Sequence, residues 1–328
     1  LTDPADLTIY RANALECITC VGAAVGGALF KNDARDLLEV MYHEGLGEVD
    51  SDGSDMKMYM MTAWGRMCTA LKEDFIPYLP AIVPILLKTA SQEIEMPAEE
   101  DLTEILENME VLSDDLVDLD LLGIRTNAAD EKARACKILS VFVDDLHAAL
   151  LPWLPQIMHT LIPLLNTAPF DDMKLAALAT MPELLVALAS SIASPAGVAD
   201  YRSSFLFILD TLLTFISEET ELDLLIPALQ TLNICLEKSV LALEGQKVPI
   251  LQGAELARTC EVLEQTLRGS FERRAVRSAE LEQEAWDEEE IEEYREMEHN
   301  ENTAHLLIAR NVGAVLQTHS QLALPLVH

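Results

Sequence analysis

Apolar residues recur at i, i+3, i+4 and i+7 through nearly every periodic segment of the chain, and alternation with a period of two is missing. That spacing predicts an all-α fold, because it lines one face of a 3.6-residue helix. The periodic stretches run about 15 to 20 residues and are parted by short polar breaks, eleven of them between residues 8 and 319. The prolines then reveal a longer repeat. Phe75-Ile76-Pro77-Tyr78-Leu79-Pro80 through Leu87-Lys88-Thr89-Ala90 matches Leu151-Pro152-Trp153-Leu154-Pro155 through Leu165-Asn166-Thr167-Ala168, with Pro80 and Pro155 75 residues apart and Thr89 and Thr167 78 apart. Removing the 36-residue acidic, non-repeating stretch 92–127 leaves 39 to 42 residues, the period of a HEAT/armadillo helix pair. Neither helix of such a pair can bury its stripe alone, so the units stack. The expectation is one continuous HEAT-repeat α-solenoid over 1–328, of about five and a half units, with acidic insertions at about 92–127 and 280–301. In the most complete unit, Asp171 and Asp172 stand where helix N-caps are expected.

Charge and motifs narrow the function. The chain carries 22 Lys+Arg against 56 Asp+Glu, a net charge of −34, and half of it is apolar. The apolar half excludes wholesale disorder, and the acidity argues against a nucleic-acid partner, whose phosphates need clustered Lys and Arg. The charge is concentrated: Gln92–Asp120 holds twelve acidic residues and no Lys or Arg, and Glu280–Glu301 holds twelve against the single Arg295. No apolar run reads as a membrane span, and no basic region opens the sequence as in a secretory signal. The six cysteines fall in apolar helical stretches, the usage of a reducing compartment; Cys17-x-x-Cys20 has no second pair at zinc spacing and is read as core. The Gly-rich run Gly22–Gly27 ends a helix with no strand before it, so it is not a phosphate loop. Metal, nucleophile-elbow and dinucleotide motifs are missing, so neither enzyme chemistry nor a cofactor is expected. Opening on Leu1 and closing inside an apolar pattern, the chain reads as a piece of a longer polypeptide.

A family resemblance rests on collinear strings. Glu16-Cys17-Ile18-Thr19-Cys20-Val21-Gly22, Thr62-Ala63-Trp64-Gly65-Arg66-Met67-Cys68, the Tyr78–Ala90 stretch, Glu131-Lys132-Ala133-Arg134-Ala135-Cys136 and Met181-Pro182-Glu183-Leu184-Leu185 resemble the importin-β (karyopherin-β) superfamily, and within it the importin-5 subgroup, as do both acidic insertions. The resemblance covers about a third of a family member, its middle-to-late repeats. It implies a superhelical solenoid, a monomer, that shuttles between cytoplasm and nucleus, carries Lys-rich cargo through nuclear pores and releases it to Ran-GTP. The principal Ran-binding repeats of such receptors lie upstream of what this chain covers, and Phe-Gly nucleoporins are further partners. The alternative is a HEAT scaffold of another complex, without Ran.

Candidate contacts are acidic. In the insertions they are Glu99, Glu100, Asp101, Asp114, Asp115 and Asp118, then Asp287, Glu288, Glu289 and Glu290, with Trp286 as an exposed anchor; Trp64 and Trp153 sit in core patterns. Second helices line the inner surface of a solenoid. Asp130, Glu131, Asp171, Asp172, Glu183, Glu218, Glu219 and Glu221 are placed there, although acids are favoured in a first helical turn regardless of function. The competing reading of both insertions is a solvated loop, and sequence after Trp286 also suits a helix. The basic cluster Arg268, Arg273, Arg274 and Arg277 just before the second insertion has no assigned role, with pairing in cis one option.

Overall fold

The computed structural model describes residues 4–45, 54–94, 127–244, 250–283 and 288–323, and everything periodic among them is helical. The chain forms two compact units, residues 1–146 and 147–328. In the first, α1 (Pro4–Val25), α2 (Gly27–Gly45) and α3 (Ser54–Leu71) are followed by a 3₁₀ turn (Lys72–Tyr78), α4 (Leu79–Ala90) and α5 (Asn127–Leu146). The second unit opens on a 3₁₀ turn (His147–Leu150). It continues through α6 (Leu154–Leu161), α7 (Leu164–Thr167), α8 (Asp171–Ala189), α9 (Pro195–Glu218), α10 (Leu222–Ala242), α11 (Gly253–Gln283) and α12 (Glu288–Ala323).

Second helices stack on second helices: α1 on α3 and α3 on α5 in one unit, α8 on α10 and α10 on α12 in the other. First helices flank them, α2 against α3, α4 against α5, α9 against α10 and α11 against α12. This is the helix-pair layering that the 39-to-42-residue repeat predicts. The cores are large and apolar. Met61, Met67, Leu79, Leu139 and an edge-on Phe75–Phe142 pair with ring centroids 5.3 Å apart fill the first unit; Leu154, Tyr201 and Phe205 fill the second. Each fully buried Leu or Phe contributes about 1.5–3 kcal/mol. Tyr201 Oη donates to Ser239 Oγ at 3.2 Å, and burial pushes its phenol up to about 12 although that bond pulls the other way. Trp64 is buried in α3, whereas Trp153, just ahead of α6, is half-buried.

Proline explains where the helices depart from the pattern. The stretch 151–167 reads as one helix in the sequence, but it is divided into α6 and α7 at Pro163, which lacks an N–H and crowds the preceding turn. The stretch 74–91 likewise begins as a 3₁₀ turn containing Pro77, and α4 starts with Pro80 in its first turn. Among the described residues two non-glycine residues have positive φ, Lys72 at 51° and His147 at 40°. They stand 75 residues apart, the Pro80–Pro155 offset, and each ends a second helix and starts a 3₁₀ turn. The repeat therefore extends to an uncommon backbone conformation. Asp171 and Asp172 are the first two residues of α8, and the cap position belongs to Phe170 in an extended conformation without a side-chain bond. At α9 the side chain does cap: Ser194 Oγ accepts from Gly197 N–H at 3.0 Å, with Pro195 next.

The glycine run between α1 and α2 is a packing device. Gly26 has φ +81° and its N–H bonds Gly22 O at 3.0 Å, a left-handed helix terminus suited to glycine. At Gly27 a Cβ would lie 2.1 Å from the carbonyl oxygen of Ala70 on α3, so the start of α2 touches backbone. Gly27→Ala is expected to lower stability by about 1–3 kcal/mol through overpacking, read as a lower denaturation midpoint with unchanged helicity at 20 °C.

A candidate acidic interface

The sequence candidates separate into three groups. Glu99, Glu100, Asp101, Asp114, Asp115, Asp118, Trp286 and Asp287 lie outside the described residues. A second group is engaged locally. Glu131 accepts from Lys57 of α3, Glu183 from Lys238 of α10 at 2.6 Å, and exposed Asp171 from Lys174 at 3.3 Å. Asp130 is half-buried in the first turn of α5 and Asp172 is exposed in that of α8. Glu218 does not open a second helix: it is the last residue of α9, with Glu219 following as its cap. Glu219 turns inward, and its Oε1 accepts from the N–H groups of Thr220 and Glu221, each at 2.9 Å. That bend carries the chain from α9 into α10.

The third group meets in a groove. Glu221 caps α10 and Asp223 lies in its first turn; both are exposed, and both face Glu293 and Glu296 of α12 across a cavity of about 590 Å³. Glu293 and Glu296 belong to the second acidic insertion, which is helical from Glu288 onward. Glu288, Glu289 and Glu290 are the first three residues of that helix. Sequence reasoning placed Glu221 among the inner-surface acids and left Asp223 out; the local signal for Asp223 is its place in the first turn of a predicted second helix.

Arg273 and Arg277 of the basic cluster also line this groove, and their partner lies at its floor. Glu301 is fully buried at the α11–α12 contact. Arg273 donates through Nε to Oε1 at 2.8 Å and through a terminal nitrogen to Oε2 at 3.1 Å; Arg277 adds a bond to Oε1 at 2.8 Å. Ser270 Oγ also bonds Oε2 and lies 2.7 Å from His305 Nε2. Burial pushes the Glu301 carboxyl up, but the bonds from Arg273, Ser270 and Arg277 outweigh it and hold it below the usual glutamate range. Arg274 reaches Glu298 at 2.5 Å, and Arg268 pairs with Glu264 within α11. The hairpin thus neutralises Glu298 and Glu301 in cis while Glu293 and Glu296 line the groove.

The cysteines divide too. Cys68, Cys136 and Cys235 are buried, and burial raises the thiols of Cys68 and Cys235 far above the ordinary value. Cys17 and Cys20 were expected in the core, yet both are exposed on α1, because the periodic face that carries them has no helix over it among the described residues. No group of three His, Cys, Asp or Glu that could hold a metal occurs among the described residues.

Stacked helix pairs with this layering define an α-solenoid of the HEAT kind, and comparisons agree. The crystal structure of Kap121p superimposes with a TM-score of 0.72 over 98% of this chain and 28% of that one, at 20% identity; Kap121p bound to RanGTP gives 0.71. No protein-family model matches the chain. In sequence it is 26% identical over 189 residues to importin subunit beta-3 of Saccharomyces cerevisiae, covering 56% of this chain and 17% of that protein. It is 26% identical over 163 residues to a probable importin-5 homolog of Dictyostelium discoideum, covering 50% and 14%. The chain therefore spans less than a fifth of the curated relatives it matches. The sequence likenesses are thus to importin-β-type proteins, among them an importin-5 homolog, and the structural one is to the HEAT-repeat fold of Kap121p.

Proposed function

We propose that the chain is a segment of a nuclear transport receptor that binds basic, Lys-rich cargo without covalent chemistry and works between cytoplasm and nucleus. The observation that carries the reading is the four-carboxylate groove of Glu221, Asp223, Glu293 and Glu296 on an importin-like array. The groove's four carboxylates outnumber the two guanidinium groups of Arg273 and Arg277 that also line it, and a concave surface of net negative charge speeds encounter with cationic partners. Kap121p has been crystallised with Ste12p, Pho4p, Nup53p and RanGTP, which supports protein cargo, a nucleoporin and Ran-GTP as partners of the whole polypeptide. The acidic stretch 280–301 supplies Glu293 and Glu296 to this groove.

The test is a titration of a fluorescent Lys-rich peptide against the chain at several salt concentrations. Binding is expected at low salt and should weaken steeply towards physiological salt, where the screening length is about 8 Å. A peptide with every Lys replaced by Gln should not bind. Equal binding of the two peptides refutes the reading.

A further inference from the structure

Helix α10 lies in the interior of its unit, with α8 and α12 packed on its flanks and α9 on a third side. Its remaining side carries the exposed residues Asp223, Gln230, Ile234, Glu237 and Leu241. At 3.6 residues per turn, Asp223, Ile234 and Leu241 fall within about 20° of one another around the helix. A helix closed in on three sides is expected to be polar on the fourth. Here Ile234 is 40% and Leu241 69% exposed. On the neighbouring α8, Leu175 is 42% exposed. Thr231 bonds the carbonyl of Leu178 and Lys238 bonds Glu183, separations of 53 and 55 residues, which sets Leu175 level with the turn that holds Gln230. Single exposed apolar residues are ordinary, but these stand in line with the acidic groove. Glu221 and Asp223, two of its four carboxylates, belong to the start of the same helix. Lys238, the single basic residue of α10, is paired with Glu183 at 2.6 Å.

We propose that the groove and this stripe form one binding surface, for basic peptides that carry an apolar side chain at a set distance from their lysines. The proposal rests on the reading of the groove as a site for Lys-rich segments and adds what selects among them. Lysines meet Glu221, Asp223, Glu293 and Glu296, and the apolar side chain covers Ile234, with Leu241 beyond it. The two halves act through different physics. Attraction to the carboxylates is screened by salt, whereas burial of apolar surface is not. A purely polar basic chain gains the first alone, so the stripe discriminates between partners of equal charge. Geometry sets the spacing. Asp223 and Ile234 are eleven residues apart, about 16 Å at 1.5 Å per residue, which about five residues of extended chain span. An apolar residue directly beside the lysines falls short of Ile234.

The test compares three fluorescent peptides on the whole chain: a run of Lys followed by Ser with Ile five residues after the last Lys, the same peptide with Ser for Ile, and one with Ile next to the last Lys. The first should bind at least tenfold tighter than the Ser peptide, and that ratio should persist as salt rises and both weaken. The third should stay within threefold of the Ser peptide. Ile234→Ser with Leu241→Ser, both at exposed positions, should bring the first peptide within twofold of the Ser peptide, with the circular dichroism of the parent. A photoreactive benzoylphenylalanine in place of the Ile gives a readout that needs no variant: it should label α8 or α10. If the Ser peptide binds and the Ile adds less than twofold, the groove reading stands and this proposal is overturned. An advantage that survives the double substitution, or labelling confined to other helices, also overturns it. Binding by none of the peptides removes the groove reading and the proposal together.

Discussion

Glu301→Ala is expected to destabilise the second unit by about 3 kcal/mol, a drop visible in any equilibrium unfolding measurement. The carboxylate is fully buried and receives Arg273, Arg277 and Ser270. Removing it leaves two guanidinium groups that are 27% and 15% exposed with no counter-charge at the centre of the hairpin. Breaking a buried pair on one side costs about 3–5 kcal/mol, and partial exposure of the arginines argues for the lower end. Amide exchange should accelerate in α11 and α12 and stay unchanged in α1–α3. A loss under about 1 kcal/mol would mean that water reaches the arginines freely and the network is ornamental. The same carboxylate sets an acid limit. Its folded pKa lies below the unfolded value of about 4.3, so its contribution is complete above that pH and is lost as pH falls through the depressed value. Glu301→Gln should remove this part of the acid transition.

The second large effect concerns the groove. Changing Glu221, Glu293 and Glu296 to Gln and Asp223 to Asn is expected to weaken a Lys-rich peptide between about tenfold and a hundredfold at low salt. Each exposed carboxylate is worth about 0.2–1 kcal/mol to a cationic partner, and four acting on one ligand reach about 1–3 kcal/mol. The affinities of parent and variant should converge as salt rises, since the lost interactions are the screened ones. Stability should change little, because Arg273 and Arg277 line the same cavity and offset the repulsion among the four carboxylates. A change of less than twofold at low salt would move the basic partner away from this groove.

Helices and their pairing were legible because burial acts through a simple period. The breaks at Pro77 and Pro163 were legible as disturbances, though their outcome, a 3₁₀ turn in one case and a divided helix in the other, depends on neighbouring packing. The candidate site was harder to read. Acids at helix starts look alike in sequence, and the fold separates Glu131, held by Lys57, from Glu221 and Asp223, which face a cavity. Arg273 and Glu301 are 28 residues apart, a separation with no local signature; only a hairpin of two long helices brings them together. A trace was nonetheless present. Glu301 falls on the stripe with Ala304, Ile308, Asn311 and Val315, all buried, so two polar residues sat at core positions. Asn311 is accommodated by donating to the carbonyls of Leu229 and Leu307 at 3.0 Å each. Cys17 and Cys20 misled for the opposite reason: their helix has a second apolar face, which periodicity alone assigns to a core.

The acidic stretch 92–127 enters between two helices that pack directly on one another, α4 and α5. Its edges are already joined, since Lys132 Nζ donates to the carbonyl oxygen of Gln92 at 2.7 Å. Closing a loop between fixed ends costs only about 0.6 kcal/mol more for each doubling of its length. The packing of α4 on α5 therefore sets no strict limit on the length of chain that joins them. Changes in the length of this span are expected to leave the packing of α4 on α5 intact, and it offers a place to graft a reporter without asking those helices to refold.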